Sequence, residues 1–165
     1  MTIRVSKSLL TLTLGFFALL VGVDNTIDYG TNFGFVQHVL SMDTTFPGNK
    51  LLWRAITNEW MHHAAYVFII ASELAVGLLC IAGAWRMLAA TARAAPEFNR
   101  AKAPAIAALA AGFGLYFFGF LVIGGEWFQM WQSAKWNGQE AAYRFAALFG
   151  LVLIFVAMED GDPWS

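Results

Sequence analysis

Ala64-Ala65-Tyr66-Val67-Phe68-Ile69-Ile70-Ala71-Ser72-Glu73-Leu74-Ala75-Val76-Gly77-Leu78-Leu79 is the stretch whose reading decides the fold. It contains no proline, and its single charge is Glu73. Flanked by His62 and Leu88, it is long enough to cross a bilayer, which takes roughly 20 mostly apolar residues as helix. Glu73 lies about 16 Å below His62 at about 1.5 Å per residue, deep in the hydrocarbon. An ionised carboxylate there costs roughly a few kcal/mol, so it needs a partner, a proton or a task.

The rest of the chain extends this reading. Of 165 residues, 59% are hydrophobic and only 13% charged, where a soluble domain carries about a quarter charged residues. The expected fold is all-α, a four-helix transmembrane bundle. Its spans are expected near residues 7–28, 62–88, 104–125 and 139–158, within a single membrane domain over 1–165. Pro104 suits the first turn of span 3, where its missing N–H costs nothing. Asn137-Gly138-Gln139-Glu140 has the Asn-x-x-Glu form of a helix start. Arg4 and Lys7 before Leu9–Val23 imitate a secretory signal, but no small-x-small site follows, so an uncleaved first span is expected.

Positive charge orients the bundle. Arg4, Lys7, Arg86, Arg93, Arg100 and Lys102 fall at one end, against Lys50, Arg54, Lys135 and Arg144 toward the other. The positive-inside rule then places both termini in the cytoplasm. Residues 29–61 and 126–138 form an outer, extracytoplasmic cap. Phe35, Val36, Val39 and Leu40 share a helical face, as do Trp127, Met130, Trp131 and Ala134, so short amphipathic interfacial helices are expected within 32–56 and 126–136. Trp53, Trp60, Trp127, Trp131 and Trp136 gather at this boundary as an aromatic belt. Small residues four apart (Ala71 and Ala75, Ala107 and Ala111, Ala108 and Gly112, Ala110 and Gly114) suit packing seams within the bundle or between copies.

Glu73, Tyr116 and Arg144 are the polar residues weighed inside spans 2, 3 and 4. Arg144 would be the electrostatic partner of Glu73, but it lies about 10 Å nearer the surface by helical rise. Glu140, Glu126 or Asp24 are easier for it to reach. A protonated Glu73 bonded to a hydroxyl such as Tyr116 fits better, since a protonated carboxyl both donates and accepts. Glu73, Tyr116 and Arg144 are therefore the candidate buried site, for a proton, cation, headgroup or ligand, with an interhelical polar clamp as the alternative. Asp24, Asn25, Asp28, His62, His63, Glu126 and Glu140 form a candidate outer polar cluster. Its spacing is not that of a metal site, and no metal is predicted. Cys80 is the only cysteine, so an internal disulfide is excluded. The histidines lie outside the deep apolar segments, unlike the ligands of a bis-histidine haem. No cofactor is predicted, although a bound lipid or quinone stays open.

Asp28-Tyr29-Gly30-Thr31-Asn32-Phe33, Phe35-Val36-Gln37-His38-Val39-Leu40-Ser41-Met42-Asp43-Thr44, Phe46-Pro47-Gly48-Asn49 and Arg54-Ala55-Ile56 form one distinctive set. Together with His63, Glu73, Gly124-Gly125-Glu126-Trp127 and Trp136-Asn137-Gly138, it resembles a bacterial family of predicted small integral membrane proteins. That family carries only a domain-of-unknown-function label. The resemblance covers nearly the whole chain and implies a four-span protein of the bacterial inner membrane. It implies no activity, cofactor or catalytic residue.

No Ser-His-Asp arrangement, phosphate loop or nucleotide fingerprint is present, so a non-catalytic protein is expected. Nucleic acid is excluded as a partner by the formal net charge of −1 and the lack of a basic stripe. Besides the lipid bilayer, the expected partners are other membrane subunits or further copies of the chain. One reading is an accessory or stabilising subunit of a larger membrane complex, respiratory or redox in kind. The other is a homo-oligomeric transporter, channel or lipid- or quinone-binding bundle that uses Glu73.

Overall fold

The computed structural model describes residues 1–162, so the last three residues of the domain expected over 1–165 lie outside the described residues. The chain is all-helical. The helices are α1 (Thr2–Ile27), α2 (Tyr29–Ser41), α3 (Glu59–Ala89), α4 (Ala95–Ala101), α5 (Ala103–Gly114) and α6 (Gln139–Ala157). From Leu115 to Trp127, α5 continues as π-helical turns. Four helical segments are long and apolar enough to cross a membrane: Thr2–Ile27, Glu59–Ala89, Ala95–Trp127 and Gln139–Ala157.

Local chemistry sets the helix ends. The Asn58 side chain accepts from the N–H groups of Trp60 and Met61, and Glu59 follows in the first turn, so α3 starts on a proper cap. At 31 residues α3 is about 46 Å long, enough to enter the headgroup layers on both sides of a hydrocarbon core of about 30 Å. Pro96 and Pro104 occupy the first turns of α4 and α5. The third span thus reaches back to Ala95, beyond the Pro104 start expected from sequence. The Asn137-x-x-Glu140 box does not form, because Asn137 Oδ1 instead accepts from the Gln139 N–H at 3.1 Å.

Glycine contacts hold the bundle together. A Cβ on Gly77 would sit 2.7 Å from the Leu19 backbone nitrogen and 2.9 Å from the Gly15 carbonyl oxygen, so α1 and α3 touch backbone to backbone. Gly83 meets the Ala105 backbone of α5 just as closely. Without a hydrophobic effect to drive helices together in lipid, such close approach supplies the association through van der Waals contact. Among the small-residue pairs expected at seams, Ala108 and Gly112 are buried, with Gly112 against the Phe149 ring of α6. Ala71, Ala75, Ala107, Ala110 and Ala111 instead point outward. The closest seams run through Gly77 and Gly83, which the small-residue spacing did not single out.

At one end, the crown, α2 buries Val36 and Val39. It stops at Met42, whose φ of 52° is left-handed. The second half of this segment forms only a 3-10 turn, Leu52–Arg54, after the Pro47-Gly48 bend. Residues 126–136 likewise depart from the helix expected there. The π turns end at Trp127, Gln129 takes a φ of 54°, and a 3-10 turn spans Met130–Gln132. A left-handed residue in that position breaks the period that had put Trp127 and Trp131 on one face.

At the other end, the foot, the chain segment after α6 folds back between the helices. Lys7 and Lys102 both donate to the Met158 carbonyl, at 2.6 and 2.8 Å, and to Asp160 Oδ2, at 2.7 and 2.8 Å. Arg4 donates to the carbonyls of Thr91, Arg93 and Gly161 and lies over the Phe98 ring. Asn99 exchanges two hydrogen bonds with the Asp160 backbone, and Asp162 accepts from the Ala95 N–H at the start of α4. Arg4, Lys7 and Lys102 are each no more than 2% exposed. From sequence alone these cations served only to orient the chain.

Candidate functional site

The interior site starts at Glu73, in the middle of α3 and 2% exposed. Its Oε2 accepts from the Asn25 side-chain amide of α1 at 2.8 Å. Asn25 Oδ1 accepts in turn from the Asn32 amide of α2 at 2.7 Å. The Tyr66 hydroxyl donates to the Asn25 backbone carbonyl at 3.3 Å. A line of amides thus joins the exposed crown at Asn32 to the buried acid. Helix lengths make this geometry possible. Because α3 begins at Glu59, in the crown, Glu73 stands level with the last turn of α1.

Glu73, Asn25 and Asn32 line a cavity of about 220 Å³ with Tyr66, Tyr116 and Phe120. Tyr116 is 3% exposed, and its hydroxyl has no hydrogen-bond partner among the described residues. Leaving such a buried hydroxyl unmet costs about 1–3 kcal/mol. Two further buried polar atoms lack partners among the described residues, Arg54 Nε and His62 Nδ1, but neither residue lines this cavity. Phe35, Val36, Ile69 and Phe120 also wall a second, almost wholly apolar cavity of about 280 Å³ between α3 and the π-helical segment. Phe68 and Phe118, 69% and 59% exposed, stand at its outer rim. A polar chamber and an apolar groove that opens on the lipid-facing surface are therefore neighbours. The π turns supply Tyr116 and Phe120 to the chamber. Such widened turns often mark functional positions.

The other candidate residues scatter. Arg144 is 65% exposed on α6 and faces Glu140 at 3.9 Å, so it is removed from the buried site. The outer polar cluster is not one constellation. Asp24, Glu126 and Glu140 are exposed, and Asp28 accepts from Thr31. His62 turns its Nε2 to the Ile56 carbonyl at 2.7 Å, and His63 stacks on Phe33 with its Nδ1 2.7 Å from the Tyr29 hydroxyl. Only Asn25 of that cluster reaches Glu73. Among the described residues, no three His, Cys, Asp or Glu side chains are placed together to hold a metal ion.

The aromatic residues of the cap divide similarly. Trp60 and Trp53 are widely exposed. Trp53 meets Trp127 edge-on, with the Arg54 guanidinium 4.4 Å from the Trp127 ring centre. Trp131 packs edge-on to Phe46, while Trp136 stacks on His38. The sequence did not pair Glu73 with Asn25. The available signal was Asn25's position one turn from the end of span 1, a level that only the true starting point of α3 reveals.

These features define a multi-pass integral membrane bundle with a polar chamber inside it. The chain belongs to the family of predicted small integral membrane proteins designated DUF2165, whose model matches residues 3–159. No curated protein and no solved structure matches it.

Proposed function

We propose that this protein binds an amphipathic molecule of the bilayer, a lipid or an isoprenoid quinone. The polar head would occupy the chamber at Glu73 and Tyr116, and the chain would occupy the groove between α3 and the π-helical segment. The unmet Tyr116 hydroxyl carries this reading, since it faces a chamber that shares walls with a groove open to lipid. An oxygen on the head would accept from Tyr116. A protonated Glu73 could donate to the same head, and Asn25 holds the carboxyl in place. Concave, mostly apolar sites with a few converging polar groups are the usual form of small-molecule sites.

In this reading the membrane is the bacterial inner membrane. Both termini are cytoplasmic, on the strength of the basic foot, and the crown faces outward. The accessory-subunit reading rests on missing catalytic motifs, small-residue seams and an aromatic cap, whereas the chamber rests on geometry.

The test is purification in mild detergent, organic extraction and mass spectrometry of whatever is retained. One amphipathic species at near-stoichiometric amount is expected. Gly119→Trp, which fills the groove without touching the polar residues, should remove it. Equal retention of bulk lipid by wild type and Gly119→Trp would sink the proposal, and co-purifying protein subunits in fixed ratio would favour the accessory role. Glu73→Gln should keep the fold. If Glu73→Gln instead abolishes proton-coupled flux in liposomes with the fold intact, the site is a transport relay.

A further inference from the structure

The foot carries a second unfilled site, independent of the chamber. Arg86 on α3, Arg93 in the turn after it and Arg100 on α4 line one cleft of about 350 Å³. Its floor is Ala89, Ala90 and Ala101, whose side chains are too short to fill the space between the guanidiniums. Among the described residues Glu97 is the one carboxylate in the lining, and it is engaged by Arg93 at 3.2 Å. The side chains of Arg86 and Arg100 make no hydrogen bond or ion pair among the described residues. Three positive charges thus share a cleft with one negative charge.

A helix C-terminus ordinarily disfavours an anion, because its free carbonyls carry partial negative charge. Arg4 removes that objection here. Its Nη1 donates to the carbonyls of Thr91 and Arg93, in the turn just beyond α3, at 3.0 and 2.6 Å, and so sets a buried positive charge beside that helix end. The height is also suitable. Arg86 lies three residues from the end of a helix about 46 Å long, within the headgroup layer of a bilayer about 40–45 Å thick. Its neighbour Trp85, 72% exposed, has the amphipathic ring typical of that layer.

We infer that this cleft binds a phosphate group through the N–H forks of Arg86 and Arg100, delivered by an anionic lipid headgroup or as free phosphate. The planar guanidinium matches phosphate oxygens two at a time, which an ammonium does not. Arginines that serve only to orient the chain need neither a common cleft nor a vacant alanine floor.

The experiment exposes the detergent-purified protein separately to phosphatidylglycerol, to phosphatidylcholine and to inorganic phosphate. Retained lipid is read by native mass spectrometry, and the shift in melting temperature by fluorescence. Phosphatidylglycerol should be retained over phosphatidylcholine, and Arg86→Gln/Arg100→Gln should weaken that retention about tenfold or more, with the lipid-free melting temperature unchanged. Stabilisation by inorganic phosphate that the same double variant abolishes would support free phosphate as the source. Arg86→Lys/Arg100→Lys keeps the charge but loses the forks, so it too should bind more weakly. Equal retention by the lysine variant, or no preference between the two lipids together with no effect of inorganic phosphate, would overturn the built site.

Discussion

The foot and the chamber solve the same problem in opposite ways. Each buries ionisable groups at the end of, or inside, a lipid-embedded bundle. At the foot, Lys7 and Lys102 share Asp160 and the Met158 carbonyl, and Arg4 takes three further carbonyls. Bond follows bond until the segment after α6 is fixed. In the chamber a single carboxyl meets one amide, a neighbouring hydroxyl meets nothing, and about 220 Å³ stays open beside them. A saturated network specifies structure. An unsaturated one, held at a standing cost, has room for something else.

The largest effect should come from breaking the saturated end. Asp160→Asn leaves two buried ammonium groups without their counter-charge, and unfolding in detergent should show a loss of about 3–5 kcal/mol. A smaller loss than about 1 kcal/mol would mean that water enters the foot and screens the pair.

Acid attacks the same bond in the wild type. Burial on its own would raise the Asp160 carboxyl, but the hydrogen bonds and charges of Lys102 and Lys7 outweigh it and hold the group below its ordinary value. Its contribution is therefore complete above about pH 4, the unfolded value, and is lost as pH falls through the lowered folded value. Melting temperatures followed from pH 7 to pH 3 should fall more steeply for wild type than for Asp160→Asn. Parallel curves would remove Asp160 from the linkage.

The chamber should respond less in stability and more in binding. Asn25→Leu strips Glu73 of its amide and should cost about 1–3 kcal/mol in the same unfolding assay. The smallest effect on stability is expected for Tyr116→Phe, which deletes a hydroxyl that has no partner. It should lie within about 0.5 kcal/mol of wild type or be slightly stabilising, while retention of the extracted amphiphile falls. A large destabilisation by Tyr116→Phe would show that the hydroxyl is satisfied after all, and the contrast between the two regions would collapse.

Much of this was legible in the residues. Hydrophobic stretches of bilayer length give four spans because lipid offers the backbone no partners except its own. The aromatic residues and the apolar face of α2 marked the crown, and Glu73 marked the interior anomaly by its cost alone. Tyr116 was expected to bond Glu73; the two line one chamber, but the Tyr116 hydroxyl meets no partner among the described residues and Glu73 takes the Asn25 amide instead. Counting could not settle azimuth, which depends on crossing angles between helices. Arg144, grouped with the buried site, lies outside it and faces Glu140, one of the easier partners its shallow depth had suggested.

What the sequence determined by itself was the number of spans, the difference in basic charge between the two ends and the presence of a buried acid. These follow from local energetics, the transfer of each side chain into or out of hydrocarbon. Only the tertiary structure decided which polar groups meet. The Gly15–Gly77 crossing sets how closely α1 and α3 approach, and the early start of α3 sets Glu73 level with Asn25. The return of Met158–Asp162 brings Lys7 and Lys102 together across more than ninety residues of chain. Those contacts depend on where helices stand relative to one another, and a one-dimensional pattern of apolar and polar residues does not encode that distance.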